Sequence, residues 1–595
     1  MPRYLPKSIV CLREGYSLRL LVGDVLAGVT VGIIALPLAI AFGIASIPSE
    51  VAARAGISPP AAGLFTAVVA GFLISALGGS RVQIGGPTAA FIVIVFNVAQ
   101  EFGYDGLCAA TLLAGLIIVA LGLCRFGAMI KFIPYPVTTG FTAGIAVSIF
   151  STQIKDFCGL AIPGDLPGDF VGKWATYFAH TGAYNPWALG VGVGSLLLIV
   201  VVRRVAPRLP GAILAVIAAA CAVHLFHLPV ETIGSRFGDI PHALPVPRLP
   251  QFDLETIRRV IPSSITIALL ASIESLLSAV VADGMTGYRH KADCELVAQG
   301  LANIASVLFG GLPATGAIAR TTANIKSGGR TPLAGIVHAL TLLFCMLVLG
   351  PLAVHIPLAT LAAVLLVVAW NISEVDHFRT LLKAPRSDVA VLLTTFGLTV
   401  LVDLPTAVGV GLVLASLLFM KRMAEVSNIQ AITREFENND DALELGQLKD
   451  PNSVLTRDVP SGVEVYEING PFFFGVADRL KDTLQQIERP PKVFILRMRR
   501  VPAVDATGLH ALEEFHAKCR RQGTTLILAG VHAQPLIAFT RVGFTDLVGS
   551  DNMTENLDDA LDRARELLRL PAVPHPPGSA PEVARQAARN RRRPN

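Results

Sequence analysis

Up to residue 422 the chain is one apolar stretch after another, fourteen in all, separated by short polar connections. The stretches fall at 22–46, 61–77, 87–101, 108–124, 133–151, 187–202, 211–227, 263–283, 295–309, 315–326, 332–350, 354–371, 387–403 and 405–421. A helix needs about 20 apolar residues to cross the hydrocarbon of a bilayer, fewer where part of the path is extended. In lipid only helices and closed barrels satisfy every backbone polar group. The expected fold class is therefore an α-helical polytopic membrane protein. Composition agrees, with 52% hydrophobic and 16% charged residues, where soluble domains carry about a quarter charged. The N-terminal MPRYLPKSIVCLREGYSLRL is basic and lacks a signal-peptide core and cleavage site, so the first apolar stretch is expected to stay as a span.

Charge sets the orientation. With the N-terminus inside, the cytoplasmic connections hold Arg81; Arg125 and Lys131; Arg203, Arg204 and Arg208; Arg289 and Lys291; Lys326 and Arg330; and Arg379, Lys383 and Arg386. Every one is basic, as cytoplasmic loops are. The opposite side has acidic or uncharged short loops, and its few basic residues lie mostly in two long excursions, 152–186 and 228–262. Both termini are thus expected in the cytosol, with a transport domain over 22–422 between a cytoplasmic segment, 1–21, and a soluble C-terminal part. A net charge of +5 gives no support to a nucleic-acid partner. Eight cysteines without a CxxC pair or neighbouring histidines argue against a metal site or a disulfide framework. No cofactor or metal is expected, and no enzymatic activity.

Similar features recur at a nearly constant offset. Gly78-Gly79 and Gly310-Gly311 each precede a broken segment, 232 residues apart; Ile133-Pro134 and Ile356-Pro357 each begin a span, 223 apart; Pro37 and Glu274 lie at comparable depths, 237 apart. Seven spans separate the members of each pair. An odd number of spans per repeat turns the halves upside down relative to each other, so a seven-plus-seven inverted repeat is expected.

The two broken segments are GGSRVQIGGPTAAF (78–91) and GGLPATGAIARTTANIKSGG (310–329). Gly and Pro interrupt each, so each is expected to cross half the membrane extended and half as a short helix, which is tolerable only where protein or water surrounds the backbone. In an inverted repeat the short helices meet near the midplane. Their N-termini, near Thr88 and Ala317, then present unpaired N–H groups and positive dipole ends to a common point. That point favours an anion. The alternative is that the small residues merely allow close helix packing. Arg320 follows the second break inside the membrane, where a charge is costly and marks function; it supplies a fixed positive charge, or pairs with a nearby acid or carbonyl. Glu274, the other intramembrane charge, can take up a proton and couple its entry to that of the anion, or serve as Arg320's partner. Asp24, Asp283 and Asp403 are read as helix caps or water-facing groups, and His338 as structural.

These residues resemble the sulfate permease (SulP) family of anion transporters. The matching stretches are GDVLAGVTVGIIALPLAIAFGIAS (23–46), SRVQIGGPTAAF (80–91), SIESLLSAVVADGMTGYRHKADCELVAQGLAN (272–303) and ATGAIARTTANIKSGGRTPLAG (314–335). The last two look most like the bacterial C4-dicarboxylate branch. The resemblance implies fourteen spans, with a core (spans 1–4 and 8–11) moving against a gate (spans 5–7 and 12–14). It places the anion site on Phe42, Gly86, Pro87, Thr88, Ala89, Glu274, Ala317, Ile318, Ala319 and Arg320. Ala319 stands where some animal relatives carry a hydroxyl, which leaves more of the binding to backbone groups. A homodimer is also implied.

After a polar linker, 423–460, short β runs alternate with amphipathic helices over 461–570, a small α/β unit resembling a STAS domain. Ala506 follows Asp505 where regulatory relatives carry a phosphorylated serine, so that switch is excluded, and Thr507 is the remaining hydroxyl. The unit is read as a contact surface for a cytoplasmic protein. The tail, 571–595, is rich in Pro, Ala and Arg and reads as disordered, with an attraction to anionic lipid. The function expected is secondary active, proton-coupled transport of a small anion across a bacterial inner membrane, with sodium as the alternative coupling ion. The cargo order is C4-dicarboxylate (succinate, fumarate), then sulfate, with bicarbonate as an alternative. No GxxxxGK[ST] sequence supports an ATP-driven pump. A nucleobase:proton symporter is disfavoured by Arg320, and a signalling module that has lost transport by the intact breaks.

Overall fold

The computed structural model describes residues 4–128, 134–163, 166–206, 209–239, 243–248, 250, 253–426, 428–431, 457–473 and 490–574. Lys131, Arg208, most of the linker, the stretch 474–489 expected to be helical, and most of the tail lie outside them. The chain divides into two units, Met1–Ala415 and Ser416–Asn595.

All fourteen apolar stretches fall on helices. Span 1 is Leu18–Ser46, span 2 Pro59–Leu77, span 5 Tyr135–Cys158, span 6 Pro186–Val205, span 7 Gly211–Phe226 and span 8 Leu254–Thr286. Span 9 is Ala292–Leu308, span 10 Ile318–Lys326, span 11 Pro332–Ala353, span 12 Leu358–Ile372, span 13 Arg386–Leu401 and span 14 Leu404–Val426. Spans 3 and 4 share one helical run, Ile92–Leu123, broken at Gly103, whose φ of 72° lies in the left-handed region that glycine tolerates best. Span 8 begins earlier than its apolar stretch, because Glu255, Arg258 and Arg259 extend the helix while Asp253 caps its start by accepting from the Thr256 N–H. Spans 1, 2, 3–4, 8, 9 and 11 pack on one another, and span 10 lies against span 8; spans 5, 6, 7, 12 and 13 form a second packed group.

Short strands join the two halves. β1 (Gly85–Gly86) pairs antiparallel with β2 (Thr315–Gly316), Gly85 opposite Gly316 and Gly86 opposite Thr315. The supports of these strands are related in the same way. Leading into β1, the N–H groups of Gly79 and Ser80 donate to the buried Glu295 carboxylate of span 9, at 2.7 and 3.0 Å. Leading into β2, the Leu312 N–H donates to Thr66 Oγ1 of span 2, at 2.6 Å. Spans 2 and 9 hold corresponding places in the two halves, so each half anchors the break of the other. This is the seven-plus-seven inverted repeat.

A further cross-half anchor is Asp24 of span 1. It is buried, and its carboxylate accepts from the Arg330 and Thr331 N–H groups, Thr331 Oγ1 and Tyr16 OH at 2.5–3.1 Å. Asp24 is thus neither a water-facing group nor itself a cap: it fixes Thr331, whose hydroxyl caps span 11. Asp24→Ala strands these donors and is expected to cost about 3 kcal/mol. Thermal unfolding in detergent should show a lowered midpoint, with Asp24→Asn, which keeps one acceptor, lowered less.

The soluble unit is a five-stranded sheet in the order β3 (Asn428–Ala431), β4 (Val463–Asn469), β5 (Val493–Arg500), β6 (Thr525–Ala529), β7 (Met553–Thr554), antiparallel at β3–β4 and parallel thereafter. Helices α1 (Ala506–Arg521), α2 (Ala533–Arg541), α3 (Phe544–Val548) and α4 (Leu557–Leu568) complete it. Alternation along the strands sends Phe494 and Leu496 into a cluster with Leu512, Phe515 and Phe539, and Val493 and Ile495 into another with Leu557 and Leu561. Asp505 caps α1 by accepting from the Gly508 N–H at 2.7 Å.

Candidate anion-binding site

The β1–β2 bridge brings the two short helices together. After β1 the chain turns at Pro87 into a 3-10 turn, Ala89–Phe91, that leads into span 3; Thr88 is its N-terminal flanking residue. After β2, Ala317 flanks the start of span 10. No side chain caps either helix, so their first N–H groups have no side-chain acceptor, and both positive dipole ends lie at one junction. The Thr88 hydroxyl, the natural capping group, is turned elsewhere. It donates to Glu274 Oε2 at 3.1 Å.

Arg320 lies in the first turn of span 10 and is 3% exposed. Its Nη2 donates to the Pro87 carbonyl on the other broken segment. Its Nη1 is buried with no hydrogen-bond partner. Glu274 makes no ion pair with it among the described residues; the carboxylate is half-buried and bonded to Thr88. The two charges act on each other but form no hydrogen-bonded pair. One edge of the guanidinium locks the two breaks together, and the other offers a desolvated positive donor. A buried donor left without an acceptor is costly, and an anion bound at the junction would lower that cost.

Gly86 makes room for the arginine. Its φ is 146°, and a Cβ built there would lie 2.5 Å from Arg320 Nη1. Gly86→Ala is thus strained and displaces the guanidinium. It is expected to lower transport about tenfold or more, on the order of 1.4 kcal/mol, measured as initial uptake rate at matched protein level.

The remaining expected residues divide. Phe42 is buried in the apolar cluster that also holds Ala89 and Phe91, so it forms wall rather than polar contact. Ala317 is buried, with its N–H donating to the Ile84 carbonyl at 2.8 Å. Ile318 and Ala319 are exposed. Polar struts that no motif marks stand behind the junction. Gln83 Nε2 donates to the Ser275 carbonyl and Oγ, both at 3.1 Å, while Thr321 Oγ1 accepts from the Ile84 N–H at 3.0 Å and from Ser278 Oγ at 3.1 Å. These contacts tie both broken segments to span 8. Asn324 Nδ2 donates to the Val82 carbonyl at 2.8 Å and closes the set. Ser275 and Ser278 lie one helical turn apart, a pattern that helix packing produces equally well. His338 is fully buried with both ring nitrogens unbonded.

Residues 21–395 match the profile described as the Sulfate permease family, and 455–560 match the STAS domain. A candidate sulfate transporter of Bacillus subtilis (strain 168), YvdB, is 39% identical over 92% of this chain and 98% of its own. The bicarbonate transporter BicA of Picosynechococcus sp. is 31% identical over 91% and 94%. Among solved structures, the murine solute carrier 26 family member A9 anion transporter in its inward-facing state superposes with a TM-score of 0.81 at 19% identity, covering 94% of each chain. The transmembrane domain of a cyanobacterial BicA gives 0.57 at 30% identity, covering 67% of this chain and 98% of that one.

Proposed function

The chain belongs to the sulfate permease family, and from that premise we propose that it is a secondary active, proton-coupled transporter of small oxyanions in the bacterial cytoplasmic membrane. The observation that carries the reading is the junction itself: two uncapped helix N-termini joined by the antiparallel β1–β2 bridge, with Arg320 Nη1 buried and unpaired between them. Such a site answers charge and oxygen acceptors rather than a base edge. Sulfate is placed first among the cargoes, ahead of C4-dicarboxylates, because of the name and 39% identity of the Bacillus subtilis relative; bicarbonate follows, on the name of the cyanobacterial one.

Glu274 is assigned the coupling proton. Protonation neutralises the carboxylate beside Thr88 and removes a charge that repels the incoming anion. The group of spans 1–4 and 8–11 moves as a body against spans 5–7 and 12–14 and carries the junction from one face to the other. Both termini lie in the cytosol, and the STAS domain serves regulation or assembly in a homodimer.

The test is uptake of labelled sulfate, bicarbonate, succinate and fumarate into proteoliposomes, with and without an inward proton gradient. Sulfate uptake that the gradient accelerates is expected. No uptake of any of the four overturns the reading.

A further inference from the structure

Where spans 1 and 5 end and span 12 begins, on the face of the membrane unit opposite the N-terminus, a cavity of about 90 Å³ lies between the two groups of spans. One water needs about 10–15 Å³ in this measure, so it has room for several waters or one small oxyanion. Ala41 and Ala45 of span 1 and Phe96 of span 3 line one side; Gln153 of span 5 and Leu361 of span 12 line the other.

Lys173 lines this cavity. It sits on the helix Phe170–Ala179, which span 5 holds in place: Tyr177 OH donates to the Ser151 carbonyl at 2.7 Å and Trp174 Nε1 to Ser151 Oγ at 3.2 Å. Lys173 is 5% exposed, and its ammonium lies 5.5 Å from the centre of the Phe96 ring. Among the described residues it has no hydrogen bond or ion pair; Asp169, which caps its helix, acts on it through charge alone. Asp156 and Glu231 both bind Arg236, at 2.8 and 2.6 Å, and Asp169 accepts from the Gly172 N–H at 2.6 Å. Lys155 donates to the Ile162 carbonyl at 3.4 Å. What remains at the cavity is a buried ammonium whose N–H donors no acceptor fills; the Phe96 ring face and the charge of Asp169 answer it only in part. Phe96 lies eight residues beyond Thr88, about 12 Å along the axis at 1.5 Å per residue.

We propose that this cavity is a second anion-binding station, in which the Lys173 ammonium holds a small oxyanion at the face opposite the N-terminus, one step along the path from the half-helix junction. The cargo class rests on the function proposed above; the station's existence does not. Gate movement that opens the cavity exposes Lys173 to the anions of that compartment, and closing it leaves the bound anion facing span 3.

The experiment is equilibrium binding of labelled sulfate to the purified full-length protein, repeated with labelled succinate should sulfate not bind. Two sulfates per chain are expected for the wild type and for Lys173→Arg, one for Lys173→Gln, one for Arg320→Ala, and none for the double variant. Size-exclusion profile and thermal midpoint verify that each variant is folded. Wild-type binding in Lys173→Gln overturns the proposal, as does complete loss of binding in Arg320→Ala or no binding of either anion by the wild type. Loss in Lys173→Gln with no change in Arg320→Ala sustains the station and sinks the junction instead.

Discussion

Arg320→Ala should weaken anion binding at the half-helix junction by about 10- to 100-fold, the equivalent of one charge-assisted hydrogen bond worth roughly 1.5–3 kcal/mol. Two effects combine in that loss. The positive donor at Nη1 disappears, and so does the Nη2 bond that fastens the Pro87 turn to span 10. Arg320→Lys separates them. A lysine keeps the charge but cannot present two parallel donors in fixed directions, so it should recover part of the affinity and little of the transport rate. Unchanged apparent affinity in Arg320→Ala would remove the arginine from the site.

Glu274→Gln should uncouple transport from the proton gradient while leaving anion exchange intact. Glutamine keeps an oxygen that can accept from Thr88 Oγ1, now at 3.1 Å from the carboxylate, and is permanently neutral, so it imitates the protonated carrier. Coupling to one proton can sustain up to about tenfold accumulation per pH unit of gradient, which is the result expected of the wild type. In the variant the accumulation ratio should fall toward unity, with counterflow of labelled against unlabelled anion persisting. Full gradient-driven accumulation in Glu274→Gln would assign the proton elsewhere, and His338, buried with both ring nitrogens unbonded, would be the next residue to test.

The broken segments were legible in the sequence because glycine and proline forbid a continuous helix there, and because Arg320 and Glu274 are conspicuous against an apolar background. The positions of the two helix starts, Thr88 and Ala317, follow from the same punctuation. The β1–β2 pairing did not show itself directly: two-residue strands carry no periodicity, and their partners lie more than 200 residues apart. For the same reason nothing in the sequence singles out Glu295, whose carboxylate holds the entry to β1. Gly103 is one glycine among many in apolar sequence, and only its positive φ distinguishes the place where spans 3 and 4 part. The excursion 152–186 read simply as a long loop. Its docking through Tyr177 and Trp174, which buries Lys173, is a tertiary event with no local pattern.

In the C-terminal unit, the strand and helix alternation was readable from short β runs between amphipathic helical patterns; β4 and β5 are buried along nearly their whole length. What the STAS domain contacts depends on its surface, and the sequence pattern specifies only its interior.

The most direct measurement is the anomalous scattering of selenate, a sulfate analogue, in crystals of the full-length protein. A peak is expected within hydrogen-bond reach of Arg320 Nη1 and of the first N–H groups of span 10, facing Thr88 across the junction. A protein that transports selenate but shows its peak elsewhere, with the junction empty, would contradict the anion site placed there.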